Sequence, residues 1–133
     1  MKFVHTADCH IGGWRDPTLN ALSTVAFTRM IDFCIQQDVD FLLIAGDLFN
    51  TAYPSIEKVK EITEQLKRLK DYNKRVYLIA GSHDYSPTGK TMLDVLEKAG
   101  LATNVTKGTI INNKLQLQFT IDQPTGAKIT GLL

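Results

Sequence analysis

Phe41-Leu42-Leu43-Ile44-Ala45-Gly46-Asp47 is a run of five apolar residues, preceded by Asp40 and stopped by Gly-Asp, and its reading decides the fold. It is too short for a buried helix and too continuous for a half-exposed strand, so it suits a strand covered on both faces, as in a parallel sheet. Two other segments repeat the plan. Lys2 to Ala7 ends at Asp8-Cys9-His10, and Val76-Tyr77-Leu78-Ile79-Ala80 ends at Gly81-Ser82-His83-Asp84. In a parallel α/β sheet the carboxyl ends of the strands open onto one crevice, so three polar clusters far apart in sequence are expected to meet there. Carboxylates and imidazoles at one edge are the donor set that a divalent metal site for phosphate chemistry requires.

Helical patterns fill the intervals. Asp16-Pro17 is an N-cap with proline at the first helical position, followed by apolar residues at 19, 22, 26, 30, 33 and 34 as far as about Gln37. Tyr53-Pro54-Ser55 opens a second helix with Ile56, Val59, Ile62, Leu66 and Leu69 on one face, and Met92, Val95, Leu96 and Ala99 form a third, closed by Gly100. The order βαβαβα over about residues 1–100 predicts an α/β fold, a layered sandwich around a mostly parallel sheet with right-handed crossovers. Beyond Gly100, alternation through Leu115, Leu117, Phe119 and Ile121, the turn at Asn112-Asn113 and the loop Gln123-Pro124-Thr125-Gly126 predict two or three further strands over about 101–133. The sequence stops inside the strand-like run Ala127 to Leu133, and the expectation is that it is the amino-terminal part of a longer protein.

At 133 residues the chain is one domain able to bury a core. Its 44% hydrophobic and 22% charged residues exclude a disordered or membrane class, and a net charge of +1 gives no global attraction for nucleic acid. Cys9 and Cys34 form no C-x-x-C pair and read as reduced thiols. No apolar leader and no run of about 18 apolar residues is present, so an intracellular, cytoplasmic protein without membrane contact is expected.

Alternation along an extended chain would put Asp8 and His10 on one side, able to reach a single ion, with Asp8 as a turn cap and His10 as a surface residue the plain alternative. Gly46 would let backbone and metal approach, and Asp47 could lend one oxygen to each of two ions or serve as a turn residue. In Gly81-Ser82-His83-Asp84, Asp84 could fix the tautomer of His83 and prepare it as a general acid. His5, inside the first strand, reads as a core histidine, and Cys9 as a small buried residue pointing away from its neighbours. Trp14 and Arg15, in the loop beside the crevice, could stack on a base and meet a phosphate or pack plainly. The basic residues Lys58, Lys60, Lys67, Arg68, Lys70, Lys74 and Arg75 read first as a salt-bridged face and second as a DNA contact.

The segments Phe3-Val4-His5-Thr6-Ala7-Asp8-Cys9-His10-Ile11-Gly12, Ile44-Ala45-Gly46-Asp47-Leu48-Phe49-Asn50 and Ile79-Ala80-Gly81-Ser82-His83-Asp84 resemble the D-x-H, G-D-x-x-[DNH] and G-N-H-[DE] motifs of calcineurin-like metallophosphoesterases. The Gly-Asp-Leu-Phe wording followed by Pro54-Ser55 is similar to the SbcD-type branch, nuclease subunits of DNA double-strand-break repair. The resemblance implies a metallophosphoesterase fold and two divalent ions, Mn2+ foremost, with Asp8 and His10 on one ion and Asp47 bridging both. It further implies His83 as general acid oriented by Asp84, and in-line attack of water on phosphorus without a covalent enzyme intermediate. It implies DNA as substrate, a homodimer and an SMC-like ATPase partner, at the nucleoid. Ser82 stands where the family motif has asparagine and is a weaker ligand. Asn50, last in the second motif, could contact substrate, support His83 or serve the turn. The histidines are His5, His10 and His83, so the family's G-H-x-H pair is not among these residues and a weakened second metal site is expected. A phosphoesterase for small esters or nucleotides, or a catalytically weak scaffold of the same fold, are the other readings.

Overall fold

The computed structural model describes residues 1–132, and Leu133, the end of the last apolar run, lies outside them. The order is β1 (Phe3–Thr6), α1 (Pro17–Gln36), β2 (Phe41–Ala45), α2 (Ile56–Asp71), β3 (Arg75–Ile79), α3 (Met92–Lys98), β4 (Thr103–Asn104), β5 (Gly108–Ile111), β6 (Lys114–Leu117), β7 (Thr120–Asp122) and β8 (Ala127–Ile129). Strands β1 to β4 form one parallel sheet in sequential order, with Phe3 opposite Phe41, Phe41 opposite Arg75 and Tyr77 opposite Thr103. Right-handed crossovers in that order bring every helix to the same face. A single apolar cluster reflects this: Phe27, Ile31 and Cys34 of α1, Ile62, Leu66 and Leu69 of α2, and Leu93 and Leu96 of α3 pack on Leu42, Ile44, Val76 and Leu78.

The helices start and stop where their capping residues dictate. Asp16 accepts hydrogen bonds from the Thr18 and Leu19 N–H groups at 2.9 and 3.0 Å, Ser55 caps α2, and Gly100 follows α3 at φ 66°. The buried stripes are shifted from the expected ones. Leu19, Leu22 and Phe33 of α1 remain exposed while Phe27 and Ile31 are buried, and α3 buries Leu93 and Leu96 rather than Val95. An apolar periodicity with several candidate phases does not say which phase faces the sheet. Ile56, at the first turn of α2, also stays exposed.

The opposite face of the sheet is covered in part. Ala127 and Ile129 of the β7–β8 hairpin pack against Phe41, Leu43, Tyr77, Ile79 and Val105. The cover stops short of β1, which is an edge strand, so His5 is exposed rather than a core residue, and Phe3 stacks on Phe41 at 5.4 Å yet keeps 48% of its surface. The alternating run after Asn113 is divided between β6 and β7, and Leu115, Phe119 and Ile121 are all exposed, so it does not line a buried face. Its turn is as expected: Asn112 and Asn113 adopt φ 50° and 57°, which a two-residue hairpin connection demands. Both cysteines are free. Among the described residues no helix is long and apolar enough to cross a membrane.

The β7–β8 hairpin is fastened by a buried carboxylate. Asp122, fully shielded from solvent, accepts from Arg75 Nε at 2.8 Å, Arg75 Nη2 at 3.0 Å, the Tyr77 hydroxyl at 2.7 Å and the Thr125 hydroxyl at 2.6 Å. The guanidinium holds the Asp122 carboxyl well below the usual carboxylate range, while burial, reinforced by Asp122, pushes the Tyr77 phenol up to about 12. A depressed folded-state value means that the stabilisation is complete above the unfolded value, about pH 4, and is lost as pH falls below it. Denaturant titrations should therefore show the wild type losing stability below about pH 4, with D122N lacking that component. At neutral pH, D122A should cost about 3 kcal/mol, since four hydrogen bonds to a charged acceptor disappear.

Candidate metal centre

The loops that follow β1 and β2 are bound to each other by main-chain hydrogen bonds that continue the sheet past its strands. Asp8 N–H donates to Gly46 O at 3.2 Å, His10 N–H to Asp47 O at 2.9 Å, Ile11 N–H to Leu48 O at 3.0 Å and Asn50 N–H back to Ile11 O at 3.1 Å. The second and third loops meet through two glycines. A Cβ on Gly46, which has φ 89°, would lie 3.0 Å from the Gly81 Cα, and one on Gly81 would lie 2.2 Å from Asp47 Oδ1. Only residues without side chains let these two loops touch.

The convergence expected from the three strand ends is present. His10, Asp47 and His83 each offer a ligand atom, and these atoms lie within 4.8 Å of one another. His10 Nε2 is 3.8 Å from Asp47 Oδ2, and the rings of His10 and His83 meet edge to face at 4.7 Å. Asp8 stands at the rim, its side chain 73% exposed, with Oδ1 3.8 Å from His10 Nε2. Asp8 and His10 do not reach this place by alternation along an extended strand: β1 ends at Thr6, and Asp8, His10 and Asp47 have φ of 53°, 44° and 50°. This left-handed backbone is costly for residues with a Cβ and clusters at functional sites.

The orientation of the imidazoles differs from expectation. His83 Nδ1 is 2.9 Å from the main-chain oxygen of Asn50, and His10 Nδ1 is 3.1 Å from Asn50 Oδ1. Asp84 does not touch the His83 ring. Its carboxylate is buried and accepts the N–H groups of Leu48 at 3.2 Å, Phe49 at 3.1 Å and Gly81 at 3.0 Å. The physical reason is coordination: with three main-chain donors converging on it beneath the loops, this carboxylate is turned inward. Asp47 Oδ1 meanwhile accepts the His83 N–H at 2.8 Å, which locks the second and third clusters together.

Ser82 is exposed, and its hydroxyl is 3.5 Å from Asp47 Oδ2, the outer limit of a hydrogen bond. It lies outside the three-residue ligand group. Trp14 is 59% exposed and Arg15 is exposed, both on the outer part of the first loop, and among the described residues no hydrogen bond ties either to His10, Asp47 or His83. Cys9 points toward Thr6, 3.8 Å from its hydroxyl, lies outside the ligand group, and has its thiol pushed up by burial. The structure bears out support of His83 by Asn50, through its main-chain oxygen, while two features escape sequence reasoning, the close approach at Gly81 and the contact of Asn50 with His10. A glycine directly after a buried strand is a signal for the first; nothing in the sequence signals the second.

Fit to a divalent cation rests on the donor set itself. If His10 Nδ1 carries the proton toward Asn50, His10 Nε2 turns a lone pair toward carboxylate oxygens of Asp8 and Asp47 at 3.8 Å, an arrangement that a cation among them relieves. Two imidazole nitrogens with carboxylate oxygen suit borderline divalent ions.

A sequence profile of the calcineurin-like phosphoesterases matches residues 1–126. The chain is 33% identical over 103 residues to the DNA double-strand break repair protein Mre11 of Archaeoglobus fulgidus, a match covering 76% of this chain and 23% of that protein. It is 36% identical over 95 residues to the uncharacterized metallophosphoesterase YhaO of Bacillus subtilis, covering 64% of this chain and 23% of YhaO. The Mre11 protein of Sulfolobus acidocaldarius is 32% identical over 123 residues, 89% of this chain and 31% of the relative. The chain thus spans about a quarter of the length of the curated relatives it matches. With the profile covering nearly every residue and the three motif loops meeting as described, the chain belongs to the calcineurin-like phosphoesterase family.

Proposed function

We propose that this chain carries the amino-terminal part of the metal centre of a phosphodiesterase that processes broken DNA ends. The observation that carries the proposal is the convergence of His10, Asp47 and His83 at the carboxyl ends of three parallel strands. The relatives named for DNA double-strand break repair support the choice of DNA; a nuclease, exo- or endonucleolytic, acting in the cytoplasm at the nucleoid is the reading that goes with it. Two divalent ions, Mn2+ by family likeness, a homodimer and an SMC-like ATPase partner belong to the same proposal.

His10 and Asp47 would hold the first ion with Asp8 closing it from the rim, and Asp47 has a second oxygen to offer to the other. When bound, such ions neutralise charge on phosphoryl oxygens and lower the pKa of a coordinated water. The remaining work falls to the chain's own groups. The Asp47 carboxylate accepts the His83 N–H, which holds the loop that carries the imidazole against this metal ligand. With its Nδ1 donating to a main-chain carbonyl, His83 has Nε2 as its free nitrogen, and when that nitrogen also takes up a proton the imidazolium can pass it to a leaving oxygen. Asp84 supports this indirectly by holding the loop.

Six of the seven basic residues along α2, the turn after it and the start of β3 are engaged in ion pairs, which favours the salt-bridged face over a DNA footprint, and Lys70 is the one in no ion pair among the described residues. Lys58 pairs with Glu61, Lys60 with Glu64, Lys67 with Asp71, Arg68 with Asp32, Lys74 with Asp38 and Arg75 with Asp122. DNA contact is therefore assigned to the loops around the centre, where Trp14, Arg15 and Asn50 stand. YhaO, named only as a metallophosphoesterase, keeps a small-ester substrate as the second reading.

Calorimetric titration with Mn2+ should show binding to the wild type and an affinity at least about tenfold weaker for D47N. Equal binding by both would remove Asp47 from the centre and favour the scaffold reading. With metal present, H83A should lower hydrolysis of single-stranded or duplex DNA ends by roughly 10² to 10⁴, the usual scale of general acid catalysis. A preference for phosphate monoesters over DNA would move the assignment to small substrates.

A further inference from the structure

Asn50 occupies the junction of all three loops. Its N–H donates to Ile11 O at 3.1 Å in the first loop, its side-chain oxygen lies 3.1 Å from His10 Nδ1, and its main-chain oxygen lies 2.9 Å from His83 Nδ1. We infer that Asn50 is a positioning residue that sets the tautomers of both imidazoles, placing each proton on Nδ1 and reserving each Nε2 for the metal or the substrate.

The two arms are chemically unequal, and this makes the role testable. A main-chain carbonyl only accepts, so His83 must carry its proton on Nδ1 whichever residue stands at position 50. The other arm depends on the carboxamide, which has one accepting and one donating end. With oxygen toward His10, the proton sits on Nδ1 and Nε2 faces Asp8 and Asp47 as a lone pair. With the amino end toward His10, Nε2 would carry a proton aimed at the same carboxylates, in the place a cation would take. The carboxamide therefore decides whether His10 is a ligand. Room for it is made by Gly13, where a Cβ would come 3.1 Å from Asn50 Oδ1 and 2.9 Å from His10 O.

The role of Asn50 rests on the metal-centre proposal for its purpose, but the tautomers are measurable without metal. Long-range proton–nitrogen correlation spectra of the metal-free protein at about pH 8, above the usual histidine range, report which ring nitrogen is protonated. The wild type should show Nδ1–H at both His10 and His83. In N50A, His10 should move toward the Nε2–H form while His83 keeps Nδ1–H, because the main-chain carbonyl survives. N50D, which retains an acceptor, should restore Nδ1–H at His10. Calorimetry should show Mn2+ affinity falling about 10- to 100-fold in N50A and largely recovered in N50D. Nε2–H at His10 in the wild type, no change in N50A, or both imidazoles changing together would overturn the inference. If N50A loses its dispersed amide spectrum, the wild type and N50D carry the test. If the tautomers behave as described but the wild type binds no Mn2+, the positioning role stands and the metal reading falls.

Discussion

The carboxylate of Asp84 sits beneath the candidate centre, shielded from solvent, with three main-chain N–H groups directed at it, two from the loop after β2 and one from the loop after β3. A buried carboxylate is tolerable only when its oxygens are satisfied in this way, and buried N–H groups are costly when they are not. Each side of the contact therefore enforces the other. The consequence for the site is positional: Asp47 and His83 lie in the two loops that Asp84 joins, and the Asp47 to His83 N–H bond follows from that proximity.

Around this anchor the backbone takes conformations it would otherwise avoid. Asp8, His10 and Asp47 all have positive φ, at a cost on the order of 1 to 2 kcal/mol for each residue with a Cβ. Aspartate tolerates the left-handed region better than most, and histidine somewhat less, so the choice of residue softens the cost without removing it. The interloop ladder from Asp8 to Asn50 supplies the compensating main-chain bonds. Local strain is thus held by a network that spans three loops, which is why the site belongs to the sheet's edge and to no single segment.

How much of this is legible in the sequence varies with the kind of interaction. Phe41 to Ala45 and Val76 to Ile79 announce parallel strands because a short, unbroken apolar run fits little else, and Asp16-Pro17 and Asn112-Asn113 announce a cap and a turn through chemistry that is local. Convergence of His10, Asp47 and His83 follows from the general geometry of parallel sheets. Phase and partner are harder to read. The buried face of α1 is ambiguous in sequence because Leu19, Leu22 and Phe33 compete with Phe27 and Ile31 for the same periodicity. Asp84 invites pairing with its neighbour His83, whereas it binds residues 35 and 36 positions away as well as Gly81. His5 reads as a core residue because nothing in a strand's own residues tells whether its far face is covered.

Gly81 limits how this pocket can be rebuilt. Any side chain there would drive into the Asp47 carboxylate, so the shortest route for altering the third loop is closed at that residue. Ser82 and Tyr85, by contrast, are open to solvent and line a groove with Ala80, Gly81 and Leu132. Variation in this loop, whether by natural drift or in a designed library, is channelled outward to those two positions while the contact with Asp47 stays fixed.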